Sequence, residues 1–285
     1  MLVQSPTPVA SSSPKHLDNS KTWERILSRL KTGLALFGLD VVSPLALGWY
    51  NSAVPPELGV CIPVAGSAGD RTFSVLIGNT KNVWRPFLEA CQRDPSLLQE
   101  QHPLDAYVER TVQAVTETVL EGQSCRMFWA HAESEGLSGG NGSRYVAMQR
   151  MAAAIGMAYV DNNSHLALHP KYGPWFALRC VLVFDGVEYT GTKPSALKNP
   201  LSPETESYIR MAVRTARNPS SDNLSVLGPE EPPSFNAVRR RWHKWVAIRD
   251  APCPGHPWRY TRDQLEYHYT RSRAVLEKAL RQLKR

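Results

Sequence analysis

The stretch from His169 to Gly186, HPKYGPWFALRCVLVFDG, constrains this chain more than any other. His169-Pro170 and Gly173-Pro174 are turn dipeptides. Trp175 to Phe184 is an apolar, aromatic and β-branched run of strand length, closed by Asp185-Gly186. The run predicts a buried strand, and Arg179 stands in its middle. A guanidinium there is costly to desolvate unless an anion meets it. Two readings follow. Arg179 is either a structural charge, ion-paired or on an exposed sheet face, or a carboxylate-binding group aimed into a pocket.

The rest of the chain narrows the class. Its 285 residues, 42% of them hydrophobic, can bury a core as one large domain or two small ones. No apolar run reaches about 18 residues, the length a membrane helix needs. The N-terminal stretch lacks the apolar core of a signal peptide, so a cytoplasmic protein is expected. Cysteines 61, 91, 125, 180 and 253 form no C-x-x-C and no disulfide framework, which fits a reducing compartment. The net charge of +7 sits mostly in the C-terminal third. No basic helix with interleaved stacking aromatics accompanies it, so an anionic small molecule is favoured over nucleic acid.

Residues 1–20, rich in Ser and Pro, read as a disordered tail. Trp23, Ile26, Leu27, Leu30, Leu34 and Phe37 recur at helical spacing, with Gly38 as a stop. Leu39 to Val42 reads as a short strand and 43–71 as a long connection. Thr72 to Asn79 is a buried strand, Val83 to Cys91 a short helix. Pro103 opens a helix whose apolar face is Leu104, Tyr107, Val108, Thr111, Val112, Val115 and Val119. Cys125 to His131 is a strand. Gly136 to Gly142 is a connector without the ending of a phosphate-binding loop. Ser143 caps a helix to about Ala158 whose small residues suit tight packing or a flat ligand. After a turn at 160–163 and the His169 strand, helices follow at 203–215, at 234–245 and, as one long amphipathic element, at 261–283. Strands first and helices last give an α+β fold. No nucleophile–base pair, G-x-G-x-x-G or metal-ligand spacing is present, so neither a catalytic side chain nor a protein-bound metal is expected.

His169-Pro-Lys-Tyr-Gly-Pro-Trp-Phe-Ala-Leu-Arg-Cys-Val resembles the CblC-type proteins of intracellular vitamin B12 processing. Trp49-Tyr50-Asn51 with Pro55-Pro56, Arg85-Pro86-Phe87-Leu88, and Phe235-Asn236 followed by Trp242 to Asp250 extend the likeness over residues 23–285 in the family's order. The resemblance implies a nitroreductase-like α+β core over 21–189 with a helical C-terminal cap over 190–285. It implies base-off cobalamin binding with removal of the upper axial ligand. The two routes are decyanation with electrons from FMN or FAD, and dealkylation by glutathione. Arg179, Arg249 and Arg273 are the implied glutathione arginines, with Arg271 a rival to Arg273. Both also read as a solvated helix face. The implied cobalamin contacts are His131, Val146, Ala147, Met148, Gln149, Val160, Asp161, Asn162, Ala167 and Leu178. His169 reads as a turn residue bonded to backbone, and no protein histidine is expected on cobalt. A downstream cobalamin-trafficking protein is the implied partner, with nucleic acid and membrane excluded. Two other classes stay open: a cobalamin chaperone without turnover, and a flavin reductase acting on another substrate.

Overall fold

The computed structural model describes residues 22–55, 58, 60–120, 122–134, 137, 145–217 and 235–283. The expected tail at 1–20, the glycine-rich connector apart from Leu137, and the cap at Ser143 lie outside these. The elements alternate early and turn helical late: α1 (Thr22–Ala35), β1 (Val41–Ala46), α2 (Leu47–Asn51), β2 (Thr72–Asn79), α3 (Trp84–Arg93), α4 (Pro103–Val119), β3 (Ser124–Trp129), α5 (Met148–Ala154), β4 (Tyr159–Val160), β5 (Ala167–Leu168) and β6 (Ala177–Glu188). Five helices follow: α6 (Pro203–Arg217), α7 (Phe235–Arg240), α8 (Trp242–Asp250), α9 (Arg262–Thr270) and α10 (Arg273–Leu283). This is the α+β class that the sequence predicts. No described helix is long and apolar enough to cross a membrane.

The main sheet is antiparallel, in the order β1-β2-β6-β3. Its central strands are buried on both faces, which explains their unbroken apolar runs. Pro44 falls on the edge strand β1, where its missing N–H costs the ladder least. Strand alternation sorts the side chains. Phe73, Val75 and Ile77 of β2, with Cys180, Leu182 and Phe184 of β6, pack under α1, α3, α4 and α10. Leu76, Val181 and Val183 face α2 and α5.

Strict alternation would put Arg179 on the α5 face with Val181. The register instead slips between Ile77 and Gly78: Ile77 pairs with Cys180 and Gly78 with Leu178, leaving Arg179 as the extra residue of a bulge. The bulge turns Arg179 toward α4 and leaves Leu178 on the other face. It also forces Gly78, because a Cβ there would collide with the Ala177 carbonyl oxygen.

Several boundaries differ from the sequence reading. W-Y-N is not part of a long connection but forms α2. β6 runs on through Gly186 to Glu188. The helix expected from 143 begins at Met148, so Val146 and Ala147 lie in its entry segment. A small hairpin, β4–β5, replaces the turn at 160–163. The helix expected at 234–245 is two, meeting at Arg241. The last amphipathic stretch also breaks. Arg271 takes a left-handed conformation (φ 52°), and Thr270 turns its hydroxyl onto the Glu266 carbonyl, so α9 ends and α10 starts afresh.

Candidate functional site

On the α5 side of the sheet lies a cavity of about 430 Å³. The entry to α5 gives it Val146, Ala147, Met148 and Gln149. The β4–β5 hairpin gives Leu166 and Ala167. The chain into β6 gives Pro174, Phe176, Ala177 and Leu178, with Ala130 beside them. Arg249 of α8 and His268 and Tyr269 of α9 close the remaining side. Its size is within the usual range for small-molecule sites, and its wall mixes apolar side chains with the polar groups of Gln149, Arg249, His268 and Tyr269.

Each wall is held by a specific bond. Tyr50 of α2 is fully buried; its hydroxyl accepts from the Ala147 N–H at 3.0 Å and donates to the Val60 carbonyl at 2.8 Å. Burial pushes that hydroxyl up to about 12, so it stays protonated and can fill both roles. Asn51 brackets Ile62, accepting from its N–H and donating to its carbonyl. Gln149 donates to the His165 carbonyl at 2.9 Å, tying α5 to the hairpin. Arg249 donates to the Pro174 and Phe176 carbonyls and lies against the rings of Trp175 (4.7 Å) and Tyr260 (5.0 Å). Its guanidinium therefore fixes the approach to β6 and also lines the cavity.

Behind this wall is a charged cluster. Arg179, 8% exposed, donates through Nε to Asn79 at 2.7 Å and through Nη1 to Asp105 at 3.1 Å. Asp105, on α4 and 4% exposed, also meets Arg271 Nη2 at 3.4 Å. Arg179 thus sits in a buried ion pair, the first of the two readings of this residue. The cluster is not neutral: Arg179 and Arg271 share the one carboxylate of Asp105. Arg271 Nη1 is buried without a hydrogen-bond partner. Arg273 points elsewhere, to the Glu100 carbonyl at 2.6 Å. Of the two rivals, Arg271 is the one that the break after α9 brings to Arg179.

Other residues named from the sequence lie outside the cavity wall. Asp161 is buried and closes its own turn, accepting from the Ser164 N–H and hydroxyl and from Asn163. Val160 is half-buried on β4 and Asn162 is exposed. His131 pairs with Glu109 of α4 at 2.6 Å. His169 accepts the Lys171 N–H on Nδ1 at 3.0 Å, as a turn residue should, and burial with the nearby Lys171 charge holds it below the usual histidine range. A larger groove, about 570 Å³ between α6 and α8, gathers none of the named residues.

The sequence reading missed Asp105, Tyr269 and His268. Asp105 interrupts an apolar helix face, the same signal that drew attention to Arg179. His268 sits in Tyr-His-Tyr on a helix read only for its apolar stripe. Burial and the charges of Arg249, Arg179 and Arg271 push its imidazole well below the usual range.

Fold and site define an α+β protein with a mixed apolar and polar small-molecule cavity backed by a surplus of arginine. In both sequence and fold, the chain is similar to CblC-type proteins. It is 24% identical over 261 residues to the Homo sapiens cyanocobalamin reductase / alkylcobalamin dealkylase, covering 85% of this chain and 76% of that protein. It is 26% identical over 185 residues to the Mus musculus protein of the same name, covering 58% of this chain and 60% of the relative's length. The crystal structure of a C. elegans B12-trafficking protein CblC, a human MMACHC homologue, superposes with a TM-score of 0.66 at 18% identity, over 92% of this chain and 97% of that one. No family model matches the sequence.

Proposed function

We propose that this chain processes cobalamin, binding cyanocobalamin or an alkylcobalamin as substrate and removing its upper axial ligand. The observation that carries the reading is convergence. Val146 to Gln149, Ala167 and Leu178, three separate segments, line one cavity with Arg249. The similarity to CblC-type proteins supports the substrate class.

Two routes of removal are proposed. In dealkylation, a glutathione thiolate attacks the cobalt-bound alkyl carbon; a thioether forms and the bonding pair stays on cobalt as Co(I). The surplus of guanidinium over carboxylate supports a co-substrate with two carboxylates, and cations also favour a thiolate. Arg249 and Arg271 are the groups proposed to meet it. Arg179 acts through the cluster, because it is not among the residues lining the cavity and is bonded to Asn79 and Asp105 behind the wall. In decyanation, reduced FMN or FAD supplies the electrons, and the same positive surplus suits its phosphate. The protein supplies orientation and water exclusion, while the cobalt supplies the reactivity.

The hairpin residues Val160 and Asn162 are proposed as a rim for the corrin beyond the cavity. His131 is left to its pair with Glu109. The free cysteines support work in a reducing compartment, proposed as the cytoplasm, with product passed to a downstream cobalamin-trafficking protein.

The test is anaerobic turnover of methylcobalamin with glutathione and of cyanocobalamin with reduced flavin. Thioether and Co(I) product support the proposal. Tight binding without turnover would make the protein a chaperone. No change in the corrin spectrum would favour a flavin reductase of another substrate.

A further inference from the structure

Resting on the thiol-dependent route proposed above, we infer that His268 is the residue that takes the proton of the attacking thiol in this cavity. Its side chain lines the cavity together with Arg249, Gln149 and Leu178. The ring is held edge-on by Tyr260 (6.0 Å) and Tyr269 (4.9 Å), yet neither ring nitrogen hydrogen-bonds any described residue. A histidine kept for structure normally spends at least one nitrogen on a partner, as His169 and His256 do. His268 presents an unused acceptor to the ligand space.

The charges around it suit that role. Arg249 faces it from α8, Arg179 from β6 and Arg271 from the turn after α9. Asp105 of α4 offsets part of this charge through its pairs with Arg179 and Arg271. The surrounding cations keep the empty site's imidazole in its basic form. A bound thiol carrying two carboxylates neutralises those cations, which raises the proton affinity of the ring when a proton must be accepted.

The step balances. The S–H bond breaks, and the proton passes to a ring nitrogen of His268 and on to water. The sulfur lone pair forms the bond to the cobalt-bound alkyl carbon. The cobalt–carbon pair stays on the metal, which falls from Co(III) to Co(I), and the thioether departs.

Single-turnover dealkylation of methylcobalamin by glutathione tests this, with wild type, His268→Phe and His268→Gln compared from about pH 5.5 to about pH 9. Phe keeps the flat ring between the tyrosines; Gln keeps a polar group if Phe disturbs folding. At saturating methylcobalamin, with each variant's affinity titrated separately, both should react roughly a hundredfold more slowly at neutral pH. Their rates should climb about tenfold per pH unit until the bound thiol ionises, below the ordinary thiol range near about 8.5, and there approach wild type. An electron-poor aromatic thiol, already ionised at neutral pH, should react at similar rates with all three proteins. The inference is overturned if the variants follow wild type at every pH, or lose as much with the ionised thiol as with glutathione. It is also overturned if reduced Co(II) protein shows cobalt–nitrogen coupling that vanishes in His268→Phe, which would make the residue a cobalt ligand. If wild type shows no glutathione-dependent dealkylation, the thiol route itself fails and this step with it.

Discussion

Asp105 and Arg179 meet 3.1 Å apart between α4 and the bulge of β6, both almost wholly out of water. Removing the anion leaves Arg179 and Arg271 uncompensated in a low-dielectric site, where breaking a buried pair costs about 3–5 kcal/mol. Asp105→Ala should lower the free energy of unfolding by that amount, read from urea unfolding. A change within about 0.5 kcal/mol, as for a surface substitution, would contradict the pair's importance.

Arg271 and Arg273, two residues apart, should separate cleanly. Arg271→Ala should weaken use of glutathione by tenfold or more, in line with about 1.5–3 kcal/mol for a hydrogen bond to a charged group. Arg273→Ala, which loses only an exposed bond to the Glu100 carbonyl, should leave it unchanged. The glutathione dependence of the dealkylation rate decides between them. The reverse ranking would restore Arg273 as the third arginine.

How much of this was legible follows from which physics writes itself into sequence. β2 reads correctly from Thr72 to Asn79 because both its faces are buried. The face of α4 is correct at every apolar position because amphipathic periodicity is a strong signal. The break at Arg271 was not legible, since neither Gly nor Asn marks the left-handed residue; Thr270 and Ser272 were the available hint. The bulge at Arg179 is invisible from one strand alone, because it is a property of the pairing with Gly78. The cavity-lining residues came from resemblance, and their convergence depends on hydrogen bonds such as Tyr50 to Ala147 that no local pattern encodes.

Tyr50→Phe removes the hydroxyl that joins the Val60 carbonyl to the Ala147 N–H. The buried Val60 carbonyl and the half-buried Ala147 N–H lose their partner, so the variant should be less stable by about 1–3 kcal/mol. Because Ala147 lines the cavity, its affinity for methylcobalamin should also fall. Calorimetric unfolding and a binding titration check the two parts; loss of stability with unchanged affinity would detach α2 from the site.

His268 is depressed by burial first and by three arginines next. A folded-state pKa below the unfolded value means that the unfolded chain binds the proton first as pH falls. The stabilisation is complete above the ordinary histidine value of about 6.5 and is lost as pH drops through and below it. Wild type should therefore lose stability between about pH 7.5 and about pH 5.5, and His268→Phe should lose less. His169 and His256, also depressed, account for a residual slope. Equal slopes in urea midpoint against pH would contradict the placement of His268.

The most direct test of the account is the absorbance spectrum of methylcobalamin titrated with the purified protein. Base-off binding predicts a saturable change from the red base-on form to the yellow base-off form, with no cobalt–nitrogen coupling from a protein histidine in the Co(II) state. An unshifted spectrum at saturating protein would contradict it.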